Sequence, residues 1–125
     1  MNDSHDRTLD VRALQDRLRA FAAAREWERF HSPKNLVMAL AGETGELLEL
    51  FQWLSDEESK SLTDEDRMRA AEEVADIQIY ILRLTDVLGI GLPEAVQRKL
   101  QQNEQKYPVE VSRGSATKYS RRERD

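Results

Sequence analysis

The chain has 125 residues, which is enough for one domain with a hydrophobic core and too few for two. Charged residues make up 34% of the sequence and the mean hydropathy is -0.72, so a membrane-spanning protein is excluded. The sequence contains no cysteine and only two histidines, His5 and His31. This excludes disulfides and argues against zinc or di-iron sites built on imidazole.

The net charge of -5 is unevenly distributed along the sequence. Residues 109–125 hold five basic and three acidic side chains, so the acidic excess lies in residues 1–108. An acidic body argues against binding to duplex nucleic acid, which requires a basic surface. The charged first ten residues do not resemble a signal peptide, and we expect a soluble protein of the cytoplasm. We predict one domain over residues 1–108 and a polar, weakly basic tail over residues 109–125.

The first two helices are predicted from apolar spacing and from capping residues. An N-cap at Asp10 begins a helix that extends to about Glu28. Its apolar face consists of residues at 3,4,3 spacing, namely Val11, Leu14, Leu18 and Phe21. Ser32 followed by Pro33 is a favourable N-cap and first helical position, so a second helix runs from there to about Trp53.

A third helix is predicted after a polar loop over residues 55–66. Thr63 or Asp64 can cap this helix, which ends near Leu88, before Gly89. It is apolar on two sides, with one row formed by Ala70, Val74, Ile77, Ile81, Leu84 and Leu88 and another formed by Ala71, Ala75, Ile79 and Leu82. A helix so apolar belongs in the middle of a bundle.

The pattern ends with a fourth helix that Leu92 and Pro93 open and that reaches about Tyr107, where Pro108 stops it. Four successive helices predict an all-α fold resembling a four-helix bundle. The third helix carries more apolar surface than three neighbours in so small a chain cover. We therefore expect a homo-oligomer.

Three glutamates stand three residues apart on the second helix, at Glu43, Glu46 and Glu49. Residues at i and i+3 share a helical face, so these like charges repel one another. Gly42 and Gly45 lie beside them, and two glycines inside a helix suggest close approach by another helix or by a ligand. This face is therefore a candidate functional site.

The third helix repeats the spacing with Glu73 and Asp76, which lie between its apolar rows. Carboxylates in apolar surroundings are unfavourable unless a cation neutralises them. Two antiparallel helices can bring both pairs around one point and form an oxygen-only site that suits Mg²⁺ or Mn²⁺. The alternative is that both stripes are solvated faces of amphipathic helices, and the spacing alone does not decide between the two.

Longer segments around these carboxylates carry a resemblance to a known family. They are FAAAREWERFHSPKNLVMALAGETGELLELFQW at residues 21–53, EEVADIQIYIL at residues 72–82 and KLQQNEQKYP at residues 99–108. The stretch from Leu18 to Tyr119 resembles the MazG-like, all-α nucleoside triphosphate pyrophosphohydrolases, in their dCTP pyrophosphatase-like branch.

The resemblance implies a bundle of helices assembled into a tetramer. It also implies hydrolysis of a nucleoside triphosphate, with dCTP or a modified dCTP expected, to the monophosphate and pyrophosphate, as in sanitation of the nucleotide pool. Mg²⁺, with Mn²⁺ as a substitute, is implied at the catalytic and metal-binding carboxylates, which are Glu43, Glu46, Glu73 and Asp76. A glutamate that orients or deprotonates the attacking water is also needed, and Glu46 and Glu49 are both candidates.

Further positions match the family's substrate site. By resemblance, the base and sugar pocket is lined by Trp27, His31 and Trp53, with Tyr80 beside it. A segment that closes over phosphate corresponds to Lys99, Asn103, Lys106 and Tyr107. Asn35 also matches, without an assigned role. Near Leu18 the mammalian dCTP enzymes carry a histidine that this chain lacks, which leaves the base preference open.

Other functions remain as alternatives at this point. An all-α dUTPase and a phosphoribosyl-ATP pyrophosphatase share the carboxylate pattern. A non-enzymatic helical interaction module would use the acidic stripes only for solubility. A P-loop NTPase is excluded because the sequence contains no GxxxxGK[ST] loop.

Overall fold

The computed structural model describes residues 8–118, so His5 and Tyr119 lie outside the described residues. Residues 8–118 contain α-helices and no β-strand, which confirms the predicted all-α fold. The helices are α1 (Val11–Ala24), α2 (Pro33–Phe51), α3 (Asp56–Ser59), α4 (Asp64–Leu88), α5 (Leu92–Lys106) and α6 (Val109–Ser112). A 3₁₀ turn at Glu28–Phe30 connects α1 with α2.

The described residues divide into two compact units. Helices α1 to α4 form the first unit, which ends at Ile90, and α5 and α6 form the second, which begins at Gly91. The short helix α6 lies within the predicted tail. The predicted division into a domain over residues 1–108 and a tail over residues 109–125 stays a prediction.

Three helices begin at the predicted capping residues. The side chains of Asp10, Ser32 and Thr63 each accept a hydrogen bond from the N–H three residues later, at 2.9, 3.2 and 3.1 Å. These bonds start α1, α2 and α4. Ser55 and Glu58 cap α3 reciprocally, so the predicted loop over residues 55–66 is wrong for this one turn. Because the turn has no apolar face, hydrophobic periodicity does not detect it.

Helix α1 ends at Ala24, whereas the apolar spacing predicted an end near Glu28. A residue in the left-handed conformation follows the helix and stops it. Glu26 has a φ of 54°, and the N–H of Trp27 donates to the carbonyl of Ala22 at 2.9 Å. This arrangement at a helix end is usually built on glycine. Since no glycine stands there, the residue types did not signal the end of the helix.

Helix α4 packs against both α1 and α2, as its two apolar rows predict. The largest fully buried side chains of the described residues, Leu36 and Leu82, lie on α2 and α4. Val74 and Ile79 on α4 are 53% and 41% exposed, so part of its apolar surface is uncovered within one chain. No helix within residues 8–118 combines the length and the apolar character needed to cross a membrane.

Helix α5 follows the predicted boundaries closely. Gly91 is its N-cap, Pro93 lies in its first turn and its last residue is Lys106. Val96 and Leu100 are 50% and 55% exposed, so α5 presents apolar side chains on its surface.

Candidate active site

Helices α2 and α4 bring together carboxylates from both predicted pairs. Oxygen atoms of Glu43, Glu73 and Asp76 all lie within 4.8 Å of one another. Glu43 and Glu73 are half-buried, whereas Asp76 is exposed. The spacing of three residues puts Glu73 and Asp76 on one face of α4, and the packing of α2 on α4 adds Glu43. We refer to these three residues as the carboxylate cluster.

Two oxygen atoms of the carboxylate cluster are buried without a hydrogen-bond partner. They are the Oε2 atoms of Glu43 and Glu73. Buried polar atoms in proteins are normally paired, because their desolvation is otherwise unfavourable. The two oxygens therefore indicate that the site receives a proton or a cation.

The electrostatics of the cluster favour protonation when no cation is bound. The pKa of Glu73 is raised to about 7, first because its carboxyl group can share a proton with Glu43, and then because of burial and the charge of Glu46. Sharing a proton with Glu73 lowers the pKa of Glu43, but burial and nearby carboxylates outweigh this effect, so its pKa is also raised. The two glutamates therefore titrate as a pair.

The donor set of the cluster fits a hard divalent cation. Carboxylate oxygens are the ligands that Mg²⁺ and Mn²⁺ prefer, and the cluster offers three carboxylates from two rigid helices. A cation would also satisfy the unpaired Oε2 atoms of Glu43 and Glu73. The cluster contains no imidazole or thiolate, which disfavours softer metals.

Glu46, the fourth predicted ligand, lies outside the carboxylate cluster but close to it. Its side chain is exposed, and its negative charge contributes to the raised pKa of both Glu43 and Glu73. Glu46 also borders an open cavity of about 470 Å³ that reaches Glu73. Its role as a metal ligand stays a prediction.

We refer to this cavity as the acidic cavity. It is lined by four carboxylates, one arginine and one leucine, namely Glu46, Glu49, Asp66, Glu73, Arg69 and Leu50. Arg69 lies 3.7 Å from the carboxylate of Asp66. Reasoning from sequence missed both of these residues. The signal was present, because Asp66, Arg69 and Glu73 follow one another at spacings of three and four and so share a face of α4.

A smaller cavity of about 170 Å³ adjoins the cluster at Glu43 and Asp76. We refer to it as the aromatic cavity. Three of the predicted substrate-binding residues line it, namely Trp27, His31 and Tyr80. Leu18 also lines it.

Edge contacts between rings shape the aromatic cavity. Trp27 meets Phe21 at a centroid distance of 5.7 Å and an interplanar angle of 75°, and it meets His31 at 6.4 Å and 70°. Asn35 donates from Nδ2 to the carbonyl of Phe30 at 3.1 Å. This bond ties α2 to the turn that immediately precedes His31.

Arg83 borders the aromatic cavity and was not predicted as a site residue. It is 7% exposed, and its Nε donates to Nδ1 of His31 at 3.1 Å. Its Nη1 lies 3.4 Å from the carboxylate of Asp86, which also accepts two hydrogen bonds from Arg19 at 2.7 and 3.1 Å. The available signal was the position of Arg83 three residues after Tyr80, on the face that carries the carboxylates.

The remaining predicted substrate residues lie elsewhere. Trp53 follows the end of α2, is 85% exposed and does not line the aromatic cavity. The residues expected to close over phosphate lie on α5 or at its end, in the second unit, and are Lys99, Asn103, Lys106 and Tyr107. The roles of all five residues stay predictions.

Comparisons with known proteins agree with the resemblance. Residues 39–121 match the model of the MazG-like family. The dCTP pyrophosphatase 1 of Bos taurus is 50% identical over 113 residues, which are 89% of this chain and 65% of that protein. The Homo sapiens protein of the same name is 44% identical with the same coverage. The chain thus spans about two thirds of the length of the mammalian relatives it matches.

A solved structure resembles the fold directly. The crystal structure of a pyrophosphatase from Archaeoglobus fulgidus matches with a TM-score of 0.75 and 42% sequence identity, covering 83% of this chain and 97% of that one. The matched family model, the relatives and this structure agree with one another, and the chain belongs to the MazG-like family.

Proposed function

We propose that the chain hydrolyses a nucleoside triphosphate, dCTP or a modified dCTP, to the monophosphate and pyrophosphate. The observation that carries this proposal is the pair of unpartnered buried oxygens on Glu43 and Glu73, at a cluster that borders both an aromatic and an acidic cavity. The mammalian relatives named dCTP pyrophosphatase support this choice of substrate. Such an enzyme would act on the nucleotide pool of the cytoplasm.

The two cavities suit different parts of a nucleotide. The aromatic cavity offers the rings of Trp27 and Tyr80 to a base. The acidic cavity can bind a triphosphate only if cations offset the negative charge of its carboxylates, because these would otherwise repel the phosphates. Because Glu43 and Asp76 border the first cavity and Glu73 borders the second, a nucleotide that spans both would present its α-phosphate to the carboxylate cluster.

Glu43, Glu73 and Asp76 would hold the metal, and Mg²⁺ bound there would neutralise phosphate charge and polarise the phosphorus–oxygen bond. Glu46 would serve either as a fourth ligand or as the acceptor of a proton from water, with Glu49 as the other candidate acceptor. Glu46 and Glu49 both line the acidic cavity, but of the two only Glu46 raises the pKa of Glu43 and Glu73 through its charge. This proximity to the carboxylate cluster favours Glu46 over Glu49 for either role.

The proposed reaction balances without a covalent intermediate. The oxygen of a water molecule attacks the α-phosphorus, and the bond from that phosphorus to the bridging oxygen breaks. The electron pair of the broken bond leaves with pyrophosphate, and a proton of the water molecule passes to Glu46 or Glu49. Positioning and charge are sufficient for this chemistry, so no nucleophilic side chain is needed.

A substrate panel tests the proposal. The purified protein is incubated with Mg²⁺ and, in separate reactions, with each deoxynucleoside triphosphate including dUTP and with phosphoribosyl-ATP, and the products are separated by chromatography. We expect dCMP and pyrophosphate, with dCTP consumed fastest. Products of dCDP and orthophosphate would contradict cleavage at the α-phosphate. Fastest cleavage of dUTP or phosphoribosyl-ATP would identify one of the alternative enzymes, and no cleavage at all would favour an interaction module.

We also propose that the chain assembles into a homo-oligomer, and specifically a tetramer. The apolar side chains of Val74 and Ile79 on α4 and of Val96 and Leu100 on α5 are exposed in the single chain, which supports association. Light scattering of the active protein should give about four times the 14.5 kDa mass of one chain. A particle with the mass of one chain and full activity would contradict the assembly.

A further inference from the structure

A single contact determines which nitrogen of His31 carries the proton. The Nε–H of Arg83 donates to Nδ1 of His31 at 3.1 Å. Arginine has hydrogen-bond donors and no acceptor, so Nδ1 must be the acceptor and carry no proton. A neutral imidazole in this contact therefore carries its proton on Nε2, which is the ring nitrogen left for a ligand.

Arg83 is itself held in position by other charged groups. Its side chain is 9% exposed, and Nη1 lies 3.4 Å from Asp86, whose side chain is 14% exposed. Asp86 is fixed from α1 by Arg19, which donates from Nε and Nη2 at 3.1 and 2.7 Å. The planar guanidinium of Arg83 therefore has little freedom to turn away from His31.

The surroundings of His31 keep its ring neutral. Burial, and then the positive charge of Arg83, lower the pKa of His31 from its ordinary value of 6.5. His31 lines the aromatic cavity beside Trp27 and Tyr80, so a ligand in that cavity would meet the imidazole of His31.

We infer that Arg83 is a positioning residue, which fixes the tautomer of His31 so that the aromatic cavity presents an Nε2–H donor to the nucleotide base. This inference rests on the proposed function. A base whose N3 is an acceptor, as in cytosine, would bind this donor through N3. A base that presents N–H at position 3, as uracil and thymine do, would leave two donors facing each other.

Imidazole ¹⁵N NMR of the folded protein tests the tautomer without requiring turnover. In the wild type we expect His31 to appear as the Nε2–H tautomer. Arg83→Met should convert the signal to a mixture of both tautomers. The matched control is Arg67→Met, the same substitution at an exposed position of α4, and it should leave the signal unchanged. An Nδ1–H tautomer in the wild type would overturn the inference.

Kinetics then test the consequence for specificity. In Arg83→Met the ratio of kcat/KM for dCTP to that for dUTP should fall by about three- to tenfold, the value of one hydrogen bond, mainly through KM. Arg67→Met should keep the wild-type ratio. An unchanged ratio in a folded Arg83→Met protein would overturn the inference.

Removal of a buried charge can prevent folding, so Arg83→Lys is the second variant. Lysine keeps a positive charge beside Asp86 but replaces the planar fork by a single ammonium group. In Arg83→Lys we expect the His31 tautomer signal and the ratio of kcat/KM for dCTP to that for dUTP to change in the same direction as in Arg83→Met, but by less. Wild-type tautomer and ratio in Arg83→Lys would contradict a role that depends on the guanidinium geometry.

A double-mutant cycle separates positioning from general structural support. If Arg83 acts through His31, the loss of discrimination in His31→Phe should not increase when Arg83→Lys is added. Additive losses would overturn the inference. Failure of the proposed function is distinguishable, because a wild type that hydrolyses no nucleotide would still show the Nε2–H tautomer.

Discussion

The aromatic cavity and the acidic cavity border the same carboxylate cluster but are built in opposite ways. At the aromatic cavity, His31 accepts a hydrogen bond from Arg83, and Arg83 pairs with Asp86. Around the acidic cavity four carboxylates face one arginine, and Glu73 keeps a buried oxygen without a partner. The contacts around His31 are in place without a ligand, whereas the unpaired oxygen of Glu73 would need a proton or a cation to satisfy it.

Under the proposed function, this difference separates base recognition from phosphoryl chemistry. Paired and rigid groups bind a base with little loss of entropy, which favours affinity and specificity. Crowded carboxylates lower the stability of the metal-free fold but provide the charge that metal-dependent phosphoryl chemistry needs. Substitutions on the two sides should therefore have opposite consequences for stability and for activity.

The largest effect is expected at Glu73. Glu73→Gln removes one negative charge from the cluster, so turnover with Mg²⁺ should fall at least about a hundredfold. The same change relieves repulsion and should leave the metal-free melting temperature equal or higher. Steady-state kinetics and thermal unfolding in EDTA measure the two effects.

Glu72→Gln is the matched control for this substitution. Glu72 is the exposed neighbour of Glu73 on α4 and does not belong to the cluster. It should retain wild-type turnover and melting temperature. Wild-type activity of Glu73→Gln under saturating Mg²⁺ would show that the Glu73 carboxylate is not an essential ligand.

The second-largest effect is expected in the dependence of stability on pH, because Glu73 at the acidic cavity and His31 at the aromatic cavity contribute to it in opposite directions. The pKa of Glu73 is raised from 4.5 to about 7, so the folded state holds this proton more tightly than the unfolded state does. Metal-free stability contributed by this group is complete below pH 4.5 and is lost as the pH rises through about 7. The lowered pKa of His31 acts in the opposite direction, because stability then falls as the pH drops below 6.5.

Comparison of wild type with Glu73→Gln isolates the contribution of the acidic side. In EDTA the variant should gain melting temperature over the wild type as the pH rises from about 5 to about 8, while the His31 contribution remains in both. Saturating Mg²⁺ should reduce the loss of wild-type stability at high pH. Parallel curves for the two proteins would falsify the assignment of this titration to Glu73.

Local signals account for what the sequence predicted correctly. Helix caps depend on contacts within three residues; those at Asp10 and Ser32 appear as expected, and of the two candidates Thr63 and Asp64 the structure uses Thr63. The carboxylates of Glu73 and Asp76 share a face for the same reason. The approach of Glu43 followed from one further step, the packing of the second helix on the third predicted helix.

Long-range contacts and an unusual backbone conformation account for what the sequence did not reveal. Arg83 reaches His31 across 52 residues, and no spacing rule connects positions so far apart. The turn at Glu26 uses a conformation that its residue type disfavours, so composition gave no sign of it. Trp53 was predicted from the family resemblance alone, and its exposure leaves that role to experiment.

The two tryptophans offer a test on the recognition side with an intermediate effect. Stacking of a base on an aromatic ring contributes about 1–3 kcal/mol, so Trp27→Ala should raise KM by about 5- to 150-fold. Because the proposed role of the ring is to stack on the base and not to contact the reacting phosphate, kcat should change less. Trp53→Ala should leave the melting temperature unchanged, since the side chain is 85% exposed. A KM unchanged in Trp27→Ala would contradict stacking in the aromatic cavity.

The smallest effect is expected at Glu26, in the turn that leads α1 into Trp27. This turn and the end of α4 use the same hydrogen-bond pattern, but α4 has Gly89 at φ 69° where α1 has Glu26 at φ 54°. A side chain in the left-handed region costs about 1–2 kcal/mol, and glycine loses about 0.5–1 kcal/mol through the freedom of the unfolded chain.

Glu26→Gly should therefore stabilise the protein by about 0.5–1 kcal/mol, a rise in melting temperature of roughly 2–5 °C. The reverse substitution, Gly89→Ala, should destabilise it by a similar amount, because alanine would carry the strain that glycine avoids. Turnover should stay at the wild-type level in Glu26→Gly, since the hydrogen bond that positions Trp27 uses only backbone atoms. A lower melting temperature in Glu26→Gly would mean that the glutamate side chain stabilises the turn by more than its backbone strain costs. The side chain of Glu26 would then help to hold Trp27 in place at the aromatic cavity.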